Sequence, residues 1–436
     1  MFAQLFGKYL VNKGVITDSD YRELIQKQLE VRVKLGTIAV ADGLLTEEQA
    51  ELVNKLQKQF DKRFGDIAIE KGFLTETQVE GLLKKQGSPY MKFLEVLLES
   101  GKVTVSQVDT EFAAFQKDSG FSNDDMNALK KDEFEQLVPI FAFSSKPYIT
   151  DLVCLILRNI NRFVTRDFYI GKIEHVDTLV YTCLAGQKTM GAHTIQVALA
   201  GVQQTDAFLK IASAFAGENY DKVEEDALDA VCEFVNCSSG LFAAEQSKKD
   251  VELDMEPVYA YENQQVTGDF YIIPIYVEDS EVKLVIAVDS DVEMGEVPHK
   301  FTYEKRESNI AIGLAKGRVV VVDDSKMSRK ILRNILEEMG YAVVEEATDG
   351  EEGIAAYMQY KPDIITLDIT MPNMDGIESL REIMSLDKKA KVVMISAAGQ
   401  QKKIIEALKL GAEKFITKPF EKGEVVACIE AMMQNK

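Results

Sequence analysis

Apolar positions along this chain follow three successive rhythms. Up to about residue 116 they come in short helical bursts, such as the run Phe-Gly-Asp-Ile-Ala-Ile-Glu-Lys at 64–71. The bursts stop at Gly14, Gly43, Gly72 and Gly101, each 29 residues from the last. Glycine ends helices well because it adopts positive φ without a Cβ clash. Thr17, Thr46, Thr75 and Thr104 follow three residues later, and Gln28, Gln57 and Gln86 keep the same period. Each threonine is placed to N-cap a second helix. Gln49, Gln78 and Gln107, with Asp20 in the first unit, complete the capping boxes. One such helix pair cannot bury its apolar face alone, so the four pairs must stack or associate. Residues 117–140 are mixed and polar and predict a connector with one short helix.

From about 141 to 297 the rhythm becomes α+β. Strands are expected at 179–184, 193–199, 270–277 and 282–288, the last two joined as a hairpin through Glu278-Asp-Ser-Glu281. Pro274 suggests an edge or a bulge in its strand. Helices are expected at about 205–216 and 222–239. In the second, residues 227, 228, 230, 231, 234 and 235 form an apolar face, while Asp229, Glu233, Asn236 and Gly240 line the opposite stripe. Residues 298–316 mix charge with small apolar residues and predict a tether. The last stretch, 317–436, alternates buried-strand runs with helical patterns. The runs 318–322, 364–367, 392–395 and 415–417 end in Asp323-Asp324, Asp368, Ser396-Ala397-Ala398 and Lys418-Pro419. Carboxyl ends of parallel strands border the crevice where doubly wound sheets bind ligands.

Composition narrows the classes. A length of 436 residues allows about three domains. A formal charge of −21 argues against binding a phosphate backbone, and no DNA-binding signature is visible. No apolar stretch reaches membrane-spanning length, and the start lacks a basic, apolar leader. The five cysteines contain no CxxC, and with three histidines they make no metal site. The expectation is a reduced, cytoplasmic protein.

Three carboxylates at one sheet edge repel each other unless a hard cation joins them, and magnesium suits both oxygen ligands and phosphate. A lysine and a small hydroxyl suit the remaining phosphoryl oxygens. This is chemistry for accepting a phosphoryl group on Asp368 and losing it to water. The ordered set of acid pair, acceptor, Ser396 and Lys418-Pro419 resembles a response-regulator receiver domain of the chemotaxis CheY type. The resemblance implies five parallel strands in the order 2-1-3-4-5. It also implies magnesium held by Asp323, Asp324, Asp368 and the Thr370 carbonyl, and a cis Lys418-Pro419 bond. Ser396 and Phe415 would form the switch pair, and a histidine kinase would be the phosphodonor.

In the middle region, Glu233-x-x-Asn236 followed by Gly240 resembles the signature of the CheX, CheC and FliY aspartyl-phosphate phosphatases. By that resemblance Asn236 holds an attacking water through its amide, and Glu233 pairs with the receiver lysine. The substrate would be Asp368 of the same chain, of a second copy, or of a separate CheY-like protein. At 153–163 the corresponding early helix carries Arg158 and Asn161, which favours the one-site CheX pattern, whose relatives suggest a homodimer. The 29-residue repeats resemble the N-terminal MshE-type module of type II secretion ATPases, some of which bind cyclic di-GMP. The residues carried over are Lys34, Gly36 and Gln57 in the second unit and Arg63, Gly65 and Gln86 in the third.

The whole is expected to be multidomain: helical repeats at 1–116, a connector at 117–140, a CheX-like α+β domain at 141–297, a linker at 298–316 and a doubly wound α/β receiver at 317–436. The expected function is a response regulator with a receiver phosphatase built in. The alternative is a non-enzymatic adaptor controlled by phosphorylation of Asp368, whose repeats bind a partner or cyclic di-GMP.

Overall fold

The computed structural model describes residues 1–28, 34–60, 64–85, 88–131, 133–142, 144, 146, 148–302, 310, 314–420 and 422–434. The chain forms two compact units, Met1–Phe141 with Asp167–Tyr169, and Ala142–Arg166 with Ile170–Lys436.

The first unit is helical. Its repeats are the pairs Phe2–Asn12 and Asp18–Lys27, Leu35–Ala41 and Glu47–Phe60, Phe64–Glu70 and Glu76–Lys85, and Pro89–Glu99 and Val105–Ser119. The four periodic glycines all take positive φ, between 68° and 72°. The Thr17 hydroxyl accepts from the Asp20 amide at 3.1 Å, and the Asp20 carboxylate accepts from the Thr17 amide at 3.0 Å. Thr46 with Gln49, Thr75 with Gln78 and Thr104 with Gln107 repeat that reciprocal cap. The first pair packs on the fourth and the second on the third. Between the second and third, the close approach at Gly36 leaves a Cβ there only 3.0 Å from the Phe64 ring. The segment 117–140 is not a connector with one short helix. Helix Val105–Ser119 runs into it, and Asn123–Lys131 and Phe134–Phe141 follow. Met126, Leu129, Leu137 and Val138 bury at helical spacing and draw those helices into the unit.

The second unit begins with helix Ile149–Phe163. Three of its four main strands are longer than the apolar runs that announced them, Glu174–Gly191, Tyr259–Val277 and Ser280–Val288, while Ile195–Gly201 keeps the expected length two residues further on. The antiparallel ladder closes into a ring: Glu174–Gly191 pairs with Ile195–Gly201, that strand with Ser280–Val288, that one with Tyr259–Val277, and Tyr259–Val277 pairs back with Glu174–Gly191. The hairpin turns on Glu278 and Asp279, both at positive φ, with Val277 opposite Ser280. Two-residue hairpin turns require such values to match strand twist. Helices Asp206–Ala216 and Glu225–Ser247 pack on the ladder. The second runs eight residues beyond its expected end at 239. Gly240 lies inside it, in line with the stripe, and allows a close contact.

The same unit continues into five parallel strands: Arg318–Val322, Ala342–Ala347, Ile364–Asp368, Val392–Ala397 and Lys414–Lys418. Numbered within this sheet, their order is 2-1-3-4-5. Helices cover both faces over two apolar clusters, one around Val320, Leu367 and Met394 and one around Val321, Leu336 and Ile416. The Lys418–Pro419 bond is cis. Helix Glu225–Ser247 packs directly on the receiver-like half, against helix Lys326–Glu338 and strand Val392–Ala397.

Candidate functional site

Strand register assembles the carboxyl edge. Leu367 lies beside Val322 and Asp368 beside Ile395, while Ala397 lies beside Lys418. Asp323, Asp368, Ser396 and Lys418 therefore leave the sheet at one level. Carboxylate oxygens of Asp323, Asp324 and Asp368 approach within 4.8 Å of one another, a set able to hold a metal ion. Lys418 Nζ lies 3.0 Å from Asp323 Oδ2 and 3.2 Å from Asp368 Oδ2. The other Asp368 oxygen, Oδ1, accepts from the Ile369 amide at 2.8 Å. Ser396 is fully buried, and its hydroxyl meets no protein partner. Thr370 gives its hydroxyl to a contact from Gln400 Nε2 at 2.7 Å. Phe415 is 44% exposed and faces outward.

Helix Glu225–Ser247 supplies the rest. Its stripe of Asp229, Glu233, Asn236 and Gly240, which would be a solvated face on an isolated helix, is buried. Glu233 Oε1 lies 3.3 Å from Lys418 Nζ. Asn236 Nδ2 donates to Glu233 Oε2 at 3.3 Å, so both signature residues converge on the lysine that also holds Asp368. One turn earlier, Asp229 accepts from the Met327 amide at 2.6 Å and from the Ser325 hydroxyl at 3.2 Å. It thus caps the start of helix Lys326–Glu338, where unpaired amides attract negative charge. One turn later, Gly240 lets the loop after Val392–Ala397 come close: a Cβ there would stand 2.8 Å from the Ala398 carbonyl oxygen. Gly399 answers from the other side at φ +91°.

The electrostatics are those of a cluster short of positive charge. Burial raises the Asp368 carboxyl well above the ordinary range, against the pull of Lys418. Burial and neighbouring Asp323 push Asp324 up to about 8. Burial alone would push the Lys418 ammonium down. The carboxylates of Asp323, Asp368 and Glu233 overcome it and hold the ammonium above the usual lysine range. Four buried or half-buried carboxylates face one lysine, and a bound dication would relieve that imbalance.

The helical unit treats its candidate residues differently. Lys34 forms an ion pair with Glu99 and lies 3.6 Å from the buried Glu95. Gly36 and Gly65 sit at the starts of helices and are packing positions, Gly36 against Phe64 and Gly65 against Val79. Arg63, Gln86 and the side chain of Gln57 lie outside the described residues. Of the early-helix residues, Arg158 pairs with Glu245 at 3.3 Å and Asn161 is exposed, and neither reaches the edge described above.

Four further residues hold the site and were not singled out for it from sequence. Arg329 donates to the carbonyl oxygens of Asp323 and Asp324 at 2.6 and 3.0 Å. Gln400 accepts from the Ala397 amide at 3.0 Å. Asp229 stood in the polar stripe without a role. Gln187, fully buried in strand Glu174–Gly191, donates to Asn236 Oδ1 at 2.9 Å. Its only sequence signal is a long amide set in a run of small and apolar residues at 184–186.

Two family descriptions match this chain: response regulator receiver domain, over residues 319–430, and chemotaxis phosphatase CheX, over residues 188–276. The chemotaxis protein CheY of Thermotoga maritima is 48% identical over 112 residues, covering 26% of this chain and 93% of that protein. The Bacillus subtilis protein CcdB is 47% identical over 116 residues, covering 27% of this chain and 97% of that protein. Among solved structures, a chain from the CheX–CheY–BeF3–Mg complex of Borrelia burgdorferi is 41% identical, covering 27% of this chain and 88% of its own length, with a TM-score of 0.26. No described helix is long and apolar enough to cross a membrane. A receiver sheet with its acid cluster and a CheX match over the strands and helix that deliver Glu233 and Asn236 lead to one conclusion: the chain belongs to the response-regulator receiver family, and it is a response regulator that carries a CheX-like phosphatase domain.

Proposed function

We propose that Asp368 is phosphorylated by a histidine kinase and that the CheX-like helix of the same chain removes the phosphoryl group. The observation that carries this reading is Glu233 on Lys418 at 3.3 Å, with Asn236 bonded to Glu233, on a receiver docked in cis. Of the three substrates the signature allows, the chain's own Asp368 is the one its geometry favours.

The residues fit magnesium: three clustered carboxylates, all raised in pKa chiefly by burial, share the single ammonium of Lys418. Asp323, Asp324 and Asp368, with the Thr370 carbonyl, would hold it, and when bound it supplies charge neutralisation for phosphoryl oxygens. The protein does the rest by alignment. Lys418 and the Ser396 hydroxyl take phosphoryl oxygens. Glu233 locks Lys418 and so locks the helix over the acceptor. Asn236 holds a water in line with the phosphorus–oxygen bond to Asp368. An acyl phosphate has a good leaving group, so placing that water is most of the task.

The test is loss of phosphate from Asp368 in the full chain with magnesium. Asn236→Ala should slow it by about a hundredfold, the scale of lost alignment. An unchanged rate would remove the reading of a phosphatase acting on its own Asp368 and leave either a separate CheY-like receiver as substrate, to be tested by adding one in phosphorylated form, or the adaptor.

For the helical unit we propose an MshE-type repeat array that docks a partner. Cyclic di-GMP is the less supported ligand, since a phosphate at Lys34 would have to displace Glu99 beside the buried Glu95.

A further inference from the structure

Asn236 reaches its place through a hydrogen-bond chain whose direction is set at its far end. Gln187 Nε2 lies 2.8 Å from the carbonyl oxygen of Glu256. A backbone carbonyl only accepts, so the amide nitrogen of Gln187, not its oxygen, must stand there. The same nitrogen lies 2.9 Å from Asn236, which must therefore accept through Oδ1. That leaves Nδ2 of Asn236 on the opposite side, toward Glu233 Oε2 at 3.3 Å and Lys418 beyond it. One Nδ2 hydrogen goes to Glu233, and the second is the one offered to the reacting centre. The arrangement is held at a cost: Oε1 of Gln187 is buried and meets no protein partner. Buried amides with an unmet acceptor are uncommon and call for a reason. Residue 187 lies just outside the stretch that matches the phosphatase family.

We propose that Gln187 is a positioning residue for the phosphatase reaction, fixing Asn236 so that it presents N–H and not C=O to the attacking water. This rests on the reading of Asn236 as the residue that holds that water. In the step itself the water oxygen, accepting from Asn236, bonds to phosphorus as the phosphorus–oxygen bond to Asp368 breaks. The bonding pair returns to the Asp368 carboxylate, the water protons pass to the departing inorganic phosphate and solvent, and no other reactant is required. Without Gln187 the orientation of the Asn236 amide rests on its single 3.3 Å bond to Glu233.

The experiment is a double-mutant cycle in the full chain, reading phosphate loss from Asp368 in saturating magnesium. Gln187→Met keeps length and volume but removes the donor. It should slow decay about tenfold, the scale of loosening a group that orients a reacting one. In an Asn236→Ala background the same substitution should change nothing. A purely structural role would slow both backgrounds alike, and that result, or no effect of Gln187→Met on the parent chain, overturns the proposal. If Gln187→Met shifts the melting transition, Gln187→Glu takes its place, since a carboxylate of the same size cannot donate to Glu256. Should Asn236→Ala itself leave decay unchanged, the phosphatase reading fails first and visibly, and the proposal falls with it.

Discussion

A single carboxylate can act at a distance from the chemistry when burial controls its proton. Asp229 is pushed from 3.8 to about 7, by burial first, with the Met327 amide pulling down and Glu233 pushing up; Arg329 also faces it. A receiver lifted off the helix returns Asp229 to water and to its ordinary value. The docked form then holds a proton that the undocked form releases between about pH 4 and 7. Docking is therefore fully supported below that window and weakens as pH rises through it. With magnesium saturating the receiver acids, transfer between fluorophores on the two halves should fall from pH 5 to pH 7.5, and Asp229→Asn should flatten the curve. A flat curve in the parent chain would refute the assignment. The proposed acceptor has a simpler test: Asp368→Asn should abolish labelling by a phosphodonor, and persistent label would put the acceptor elsewhere. At this scale the sequence was informative wherever a residue type sat at a strand end. It was silent on Gln187 and Arg329, whose roles are hydrogen bonds across elements far apart in the chain.

Helix Glu225–Ser247 shows what a glycine means in two contexts. The expected helix end was about residue 239, with Gly240 in line with the polar stripe, and the helix continues for two more turns. A methyl at 240 would meet the Ala398 carbonyl at 2.8 Å and the Ala397 Cβ at 3.0 Å. Alanine inside a helix is worth about 1 kcal/mol over glycine, so Gly240→Ala should firm the helix. It should also push off the receiver loop. The expected result is unchanged or higher helix content by circular dichroism together with slower phosphate loss from Asp368. Faster loss would show that the contact at 240 plays no part. The repeats behaved the other way: glycine, threonine and glutamine spacing described real stops and caps, because those interactions close within three residues. Strand ends were underestimated because exposed polar residues, such as Glu174 and Thr178, extend the ladder by backbone bonds alone.

Across the second unit, the contacts between its two halves divide by exposure. Lys330 with Glu218 and Lys402 with Glu252 are open to water, and such pairs contribute roughly 0–1 kcal/mol each and are screened by salt. The buried contacts at Asp229, Glu233 and Gly240 are not screened. Hydrogen exchange offers a direct check: the Met327 amide should be protected in the full chain and exposed in Asp229→Ala, while Val321 in the sheet core stays protected in both. Equal protection in both would mean the cap is not made.

By itself the sequence determined the parallel receiver sheet, the acid cluster at its carboxyl edge and the Glu-x-x-Asn helix. Each shows in short local segments, apolar runs that end in a carboxylate or lysine and a pair of polar residues one helical turn apart, whose order along the chain resembles known families. Only the tertiary structure decided that the helix stripe faces the chain's own receiver, that Lys34 is matched by Glu99, and that Gln187 sets the direction of Asn236. Those facts depend on which surfaces meet after folding, and a local pattern of polar and apolar residues is the same whether its polar face meets water or another domain.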